Sequence, residues 1–321
     1  MRLCVVGDDA DFSARYICWL AEQRGVEVDF LPEDRLGVGW SFAVLDDGRQ
    51  GRVEIGDRTL DFDEIDAAFV RLNPEPAVPE ELGIDDTAKP VYAIERRHGL
   101  HWLLDRAPFA VVNRPHAGRS NLSKPYQMAL LDSMDLPVPD WIVTTDAGRA
   151  RDFIGRWPEG AVYKACSGLR SHVRRADEQL LERLIEGSSP VVIQRYITGA
   201  DVRIHTIGER AFATEIYSES VDYRWDEQST RYAATEAPAE VVARCVAAAA
   251  GEGLDLAGFD FRRTPDTDWW CLEMNPVPTF LPYEAMTGHA IGDAILDFML
   301  PAAKLDRERS PLLSGAGLSS S

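Results

Sequence analysis

The acids toward the C-terminal end of the chain carry the most specific chemistry. Asp260 lies in Gly258-Phe259-Asp260-Phe261, and Glu273 and Asn275 lie in Leu272-Glu273-Met274-Asn275-Pro276, with the turn-forming run Thr264-Pro265-Asp266-Thr267-Asp268 between them. A hairpin centred between Asp266 and Thr267 sets Asp260 opposite Glu273, and Asn275, two residues on, shares the face of Glu273. Carboxylates opposed on neighbouring strands repel unless a cation lies between them. Two carboxylates and an amide oxygen are hard donors that suit Mg²⁺, whose shell is completed by water and phosphate. A solvated hairpin face is the alternative, because Asp and Glu make up 53 of the 321 residues.

A cationic half lies upstream. Lys164 closes an apolar strand and opens the small-residue loop from Ala165 to Val173, where backbone N–H groups can approach a phosphate with the ammonium as point charge. Lys124 starts a helix, whose N-terminal dipole also favours an anion. An ordinary hairpin loop and a surface lysine fit the same residues. The chain holds four lysines against thirty arginines, so each lysine stands where arginine is the default cation. Between the two halves, the strand Val191–Gln194 runs out through Arg195, Tyr196 and Ile197 to Gly199, exposing backbone groups of Arg195 and Ile197 that can read the edge of a planar base. Arg203 shares a strand face with Asp201 and His205, a place for a guanidinium aimed at phosphate or carboxylate, or for a polar face that meets water. Walker A and GxGxxG sequences are absent, and no nucleophile-base arrangement of the Ser/His/Asp or Cys/His kind is suggested.

The elements that must position these groups fall into three parts. Residues 1–115 open as β-α-β (Arg2–Gly7, Asp11–Arg24, Val26–Leu31), continue through three short strands expected as hairpins added to the same sheet, and return at Ala67–Arg71, an α/β pattern with a parallel sheet. A helix near Tyr92–Arg106 and a strand Phe109–Val112 complete that part. Residues 116–195 form a small central domain and residues 196–305 a C-terminal domain on an antiparallel sheet; from Ala161 onward short alternating strands with helices near Glu178–Glu186 and Pro238–Gly253 read as α+β. The Ser/Gly-rich end of the chain, within 306–321, is expected to be disordered.

Composition narrows the partners. Net charge of −19 and a pI near 4.7 argue against nucleic acid or anionic membrane as partner, so an anionic ligand needs a local basic patch. Five scattered cysteines without CxxC spacing argue against a disulfide framework or zinc site and for a reducing compartment. With no leader segment and no long apolar run, the expectation is a cytoplasmic protein.

Taken in order, SNLSKPYQ, VYKACSG, QRYI, GADVRIHTIG, GFDF and LEMNP resemble the ATP-grasp ligase superfamily. Within it, AFVRLNPEP, IERRHGL, VVNRP, the stretch from Lys124 to Asp146, AFATEIYSESVDYRW and MTGHAIGDAILDFM are similar to the maturases that install ω-ester and ω-amide crosslinks in ribosomal peptides, the graspetides of microviridin type. RimK-like glutamate ligases are the near neighbour, and a ligase joining an amino acid or small amine to a carboxylate is the alternative function. The resemblance implies ATP and Mg²⁺ as cofactors, Lys124 and Lys164 on nucleotide phosphates, and Gln194, Arg195, Tyr196 and Ile197 at the adenine. It further implies Asp201 near the ribose, Arg203 on the transferring phosphoryl group, Asp260, Glu273 and Asn275 on the metal, and Arg224 near acceptor or phosphate. A peptide or small-molecule carboxylate substrate, a precursor peptide with a leader, and a homodimer follow as expected partners. Where the maturases carry a glycine-containing turn after Asn-Pro, this chain has Pro276-Val277-Pro278-Thr279.

Overall fold

A computed structural model describes residues 1–309 except 46, 74–77, 169–171, 188 and 219–229; of 301–309 it describes the backbone alone. Arg224 and the tail 310–321 therefore lie outside the described residues. The chain divides into two units, Met1–His116 with Thr279–Leu281 and Ala290–Ser321, and Ala117–Pro278 with Pro282–His289.

The first unit is built on a parallel sheet. Strands β1 (Arg2–Gly7), β2 (Glu27–Pro32), β6 (Ala67–Arg71) and β7 (Ala110–Val112) lie in the order β2-β1-β6-β7. β1 is buried from Leu3 to Gly7 and β6 throughout, as expected of strands covered on both faces. Helix α1 (Phe12–Gln23) is capped by the Asp11 carboxylate, which accepts from the amides of Ser13 and Ala14. Helix α2 (Lys89–Arg106) buries Leu100, Leu103 and Leu104 against Cys4, Val6, Ala68 and Val70.

Two expectations are corrected here. The strands β3 (Trp40–Leu45), β4 (Gln50–Ile55) and β5 (Arg58–Asp61) do not join the parallel sheet; they pair only with one another, as a separate three-stranded antiparallel sheet that buries Trp40 and Val53 in the same core. Helix α8 (Ile291–Arg309), expected within 196–305, packs instead on α1, β6 and β7. Its buried Ile291, Ile295 and Met299 need an apolar surface, and Arg24 fixes the helix through ion pairs to Asp293 and, at 2.8 Å, Asp297.

The second unit holds two antiparallel sheets. Strands β8 (Trp141–Thr144), β9 (Ala161–Ala165), β10 (Arg174–Arg175) and β11 (Val191–Arg195) lie in the order β10-β9-β11-β8, with helices α4 (Ala147–Ile154) and α5 (Glu178–Glu186) packed on one face through Phe153, Leu180 and Leu184. Strands β12 (Ala200–Ile207), β13 (Arg210–Tyr217), β14 (Arg231–Thr235), β15 (Leu256–Arg263) and β16 (Trp269–Asn275) lie in the order β14-β13-β12-β15-β16. One face of this sheet, with Val202, Ile204, Phe259 and Phe261, packs in a core shared with Leu131 of α3 (Lys124–Ser133) and with Val241, Cys245 and Ala248 of α6 (Ala239–Gly251). By alternation, the residues between them face the other way.

Candidate active site

Those intervening residues form a charged row. Thr214, Arg203, Asp260 and Glu273 are register partners across β13, β12, β15 and β16. Arg203, 4% exposed, donates from Nη1 to Asp260 Oδ1 at 2.7 Å. One guanidinium therefore faces two neighbouring carboxylates, which leaves the row acidic toward β16.

The Asp260–Glu273 pairing comes about by a route the sequence does not show. Near the turn the register pairs Arg263 with Trp269 and Phe261 with Cys271, which would put Asp260 opposite Leu272. A bulge between Asp260 and Phe261 leaves Leu272 unpaired and brings Glu273 and Asn275 onto the face of Asp260. Gly258 completes the arrangement. A Cβ there would lie 2.7 Å from Arg203 Cζ and 2.7 Å from Pro278 Cβ, so only glycine lets the guanidinium lie across β15.

Helix α3 joins this row to the lysines. Gln127, buried one turn after Lys124, clasps the backbone of Met274: its Nε2 donates to the Met274 carbonyl at 2.7 Å and its Oε1 accepts from the Met274 N–H at 3.2 Å. The clasp grips β16 between Glu273 and Asn275. The next residue, Met128, meets Gln194 Nε2 through its sulfur at 3.4 Å, and Gln194 Oε1 accepts from the buried Lys164 ammonium at 3.1 Å. Lys164 and both carboxylates act on one sulfur: the buried Cys271 thiol is pushed up chiefly by burial, further by Asp260 and Glu273, and eased down by Lys164.

Lys124 is the first residue of α3, after the capping Ser123. Its amide donates to the Cys166 carbonyl and its ammonium to the Ser167 carbonyl, both at 2.9 Å, while the Gly168 amide donates to Leu122 at 3.0 Å. The loop after β9 is thus tied to the start of α3, and a side chain at Gly168 would overlap the Asn121 carbonyl.

The remaining expected residues stand as follows. The Arg195 amide donates to Asp140 and the Tyr196 amide to Gly160, so neither is offered to a base. The Arg195 guanidinium lies over Trp157 and Trp270, at 4.6 and 5.6 Å from the ring centroids, a packing role. Tyr196 lies under Arg175 at 3.3 Å, and Ile197 is buried. Asp201 is ion-paired with Arg262 at 2.8 Å. Asn275 turns its Oδ1 to the Val277 amide at 2.9 Å, fixing the turn after β16.

The donor set fits magnesium and not a soft metal. Among the described residues no three histidine, cysteine, aspartate or glutamate side chains converge. Asp260 and Glu273 supply two carboxylates beside one guanidinium, the partial oxygen set of an ion that keeps water and phosphate in its shell.

No family model matches the chain, and no curated protein matches it. Solved structures do. The ATP-grasp ligase PsnB, complexed with a phosphomimetic variant of its minimal precursor, Mg and ADP, is 26% identical, with 94% of this chain and 98% of that chain covered at a TM-score of 0.79. A RiPP-associated ATP-grasp ligase from Chryseobacterium gregarium, in complex with ADP and a leader and core peptide, is 20% identical, covering 94% and 96% at 0.79. The macrocyclase MdnC from Microcystis aeruginosa, bound with precursor peptide MdnA, is 20% identical, covering 94% and 100% at 0.78. The chain has the ATP-grasp fold.

Proposed function

We propose that this chain is an ATP-grasp ligase that crosslinks a ribosomally made precursor peptide with ATP and Mg²⁺, a reading supported by the complex of PsnB with Mg and ADP. A side-chain carboxylate of the peptide attacks the γ-phosphorus of ATP, releasing ADP and leaving an acyl phosphate. A hydroxyl or amine of the same peptide then displaces phosphate, and an ester or amide forms. The observation that carries this reading is the run of contacts from Lys164 through Gln194, Met128 and Gln127 to the strand of Glu273 and Asn275, which sets a buried ammonium and a carboxylate pair around one helix.

The first step brings an anion to an anion, so its barrier is electrostatic. Lys124 and Lys164 take phosphate oxygens. Lys164 is already buried there, with Gln194 Oε1 as one of its partners. Arg203, oriented by Asp260 and by the space at Gly258, carries the charge that develops on the transferring phosphoryl group. Asp260, Glu273 and Asn275 would hold Mg²⁺, which would neutralise phosphate charge when bound. With the amides of Arg195 and Tyr196 committed elsewhere, the base edge is left to the backbone around Ile197, and Gln194 sits beneath it. Asp201 is assigned to the ribose.

The peptide class is supported by the precursor complexes of PsnB and MdnC. No described helix is long and apolar enough to cross a membrane. The cysteines are unpaired by disulfide, and four of the five are buried, which supports a cytoplasmic location. Exposed Val91, Ile94 and Trp102 along one side of α2 support the homodimer, tested by light scattering. Incubation with ATP, Mg²⁺ and short peptides encoded beside the gene tests the function. The product loses one water per crosslink; a product heavier by an amino acid means the RimK-like alternative, and no ADP release overturns both.

A further inference from the structure

The charged row of the five-stranded sheet is flanked by an aromatic side chain that does not belong to the sheet. Helix α7 (Leu281–Thr287) sets the buried Tyr283 against the face that carries Arg203. Its ring meets that of His205 nearly edge-on, with centroids 4.9 Å apart and planes at 70°, and that of Tyr232 in the same way, at 5.2 Å and 69°. The Arg203 guanidinium lies over the same ring, with Cζ 5.9 Å from its centroid. His205 and Tyr232 stand two residues along their strands from the row of Thr214, Arg203 and Asp260, so they share its face.

The guanidinium thus meets the Asp260 carboxylate, the strand at Gly258 and the Tyr283 ring. These neighbours are not equivalent. Asp260 belongs to the carboxylate pair assigned to Mg²⁺, so a metal there competes with the guanidinium for the same oxygens and repels it. An aromatic face attracts a cation through its quadrupole, and its carbon atoms are no ligands for an ion that takes oxygen. Burial strengthens the attraction; a separation close to the outer reach of about 6 Å keeps it modest. The ring is itself fixed, by its two edge-on partners and by the hydrogen bond that Thr287 Oγ1 donates to the Tyr283 carbonyl at 2.6 Å.

We propose that Tyr283 is a positioning residue for phosphoryl transfer: its ring face keeps the Arg203 guanidinium aimed at the transferring group while Asp260 serves the metal. This rests on the ATP-ligase reading of the row and deepens it with a residue from outside the sheet.

Calorimetry on the full chain with Mg²⁺ compares ADP alone with ADP plus aluminium fluoride, a stand-in for the phosphoryl group in flight. The ratio of the two affinities reads Arg203; ADP affinity alone reads the rest of the site. In Tyr283→Leu the ratio should fall about tenfold at unchanged ADP affinity, and Tyr283→Phe, which keeps the ring, should retain most of it. An unchanged ratio in Tyr283→Leu, or a loss in Tyr283→Phe as large as in Tyr283→Leu, overturns the proposal. Should Tyr283→Leu fail to fold, trifluorophenylalanine at position 283, set against Tyr283→Phe, decides: fluorine withdraws charge from the ring face at nearly constant shape, and the ratio falls about threefold or the proposal is wrong. A wild-type chain that binds ADP with no tightening by aluminium fluoride overturns the proposal and leaves nucleotide binding standing. One that binds no ADP removes the ligase reading, and the proposal with it.

Discussion

The parallel sheet of the first unit and the five-stranded sheet of the second place their polar residues differently. β1 and β6 are buried along nearly their whole length, and chemistry-bearing groups such as Arg71, Asn73 and Glu33 appear only where the strands end. In the antiparallel sheet Arg203, Asp260 and Glu273 stand in the middle of their strands. A strand covered on both faces has no room for an unpaired charge, because burial of an ion without a partner costs several kcal/mol. A strand with one apolar face leaves every second residue for a site. The comparison teaches where each architecture can put function, at strand ends in one and across strand centres in the other.

Removing a charge from the centre of the antiparallel sheet is the sharpest way to break that comparison. Glu273→Gln keeps size and hydrogen bonding but removes one of two opposed carboxylates. Ligation, followed as ADP release, is expected to fall by about 10³-fold or more. The melting temperature should hold or rise, because a like-charge pair is relieved. A variant that stays active, or one that loses activity only by melting, means the row is a solvated face.

The strand ends of the first unit respond to pH instead. Glu33 faces Asp8 after β1, Asp34 beside it, and Arg96, Arg97 and His101 from α2. With its carboxyl pushed from 4.5 to about 7, the folded chain holds a proton there that the unfolded chain releases. The stability this group contributes is therefore present at pH 4.5 and lost as pH rises through 7, by about 3 kcal/mol at about 1.4 kcal/mol per pH unit. Urea midpoints of wild type and Glu33→Gln at several pH values measure it: the wild-type fall should be shallower in the variant, and equal slopes would overturn the assignment.

Much of both sheets was legible from pattern. Uniform apolar runs gave β1 and β6 to the residue or nearly so, whereas the expected Asp260–Glu273 pair stands only because a bulge offsets a turn one residue out of the expected register. What stayed hidden depends on groups distant in sequence. The bulge at Leu272 exists only against β15. Gln127 looks like any polar residue of a helix until β16 lies beside it; its one signal is that it shares the inward face of α3 with Met128 and Leu131. Gly258 reads as a flexible point until Arg203 crosses it. The apolar stripe of α8 shows that the helix needs a partner and not which one. Arg195 showed no sign of Trp157 and Trp270, because cation-ring contacts leave no spacing rule.

Gly258 turns that hidden dependence into a measurement on the same row. Gly258→Ala removes no charged group; it displaces the guanidinium of Arg203 and presses on Pro278. Misplacement on the scale of an ångström costs about 10²-fold in rate, so kcat should fall by that order while ATP affinity, carried by the lysines, changes little. A loss of ATP affinity without a loss of kcat would show that Arg203 serves binding and not the transferring group.

The smallest expected effect separates the row from the helix that aligns it. Gln127→Leu fills the same space but strips the donor and acceptor that engage Met274, leaving a buried N–H and C=O of β16 without them. The cost is about 2 kcal/mol of stability, from hydrogen bonds lost in a buried site. If α3 sets the distance between the lysines and the carboxylates, the variant should also need more Mg²⁺ for half-maximal ADP release, since Glu273 and Asn275 flank the released segment. A stability loss with an unchanged Mg²⁺ requirement would mean that the hairpin holds its carboxylates in register alone, and the centre of the antiparallel sheet would then be as self-sufficient as the strand ends of the parallel one.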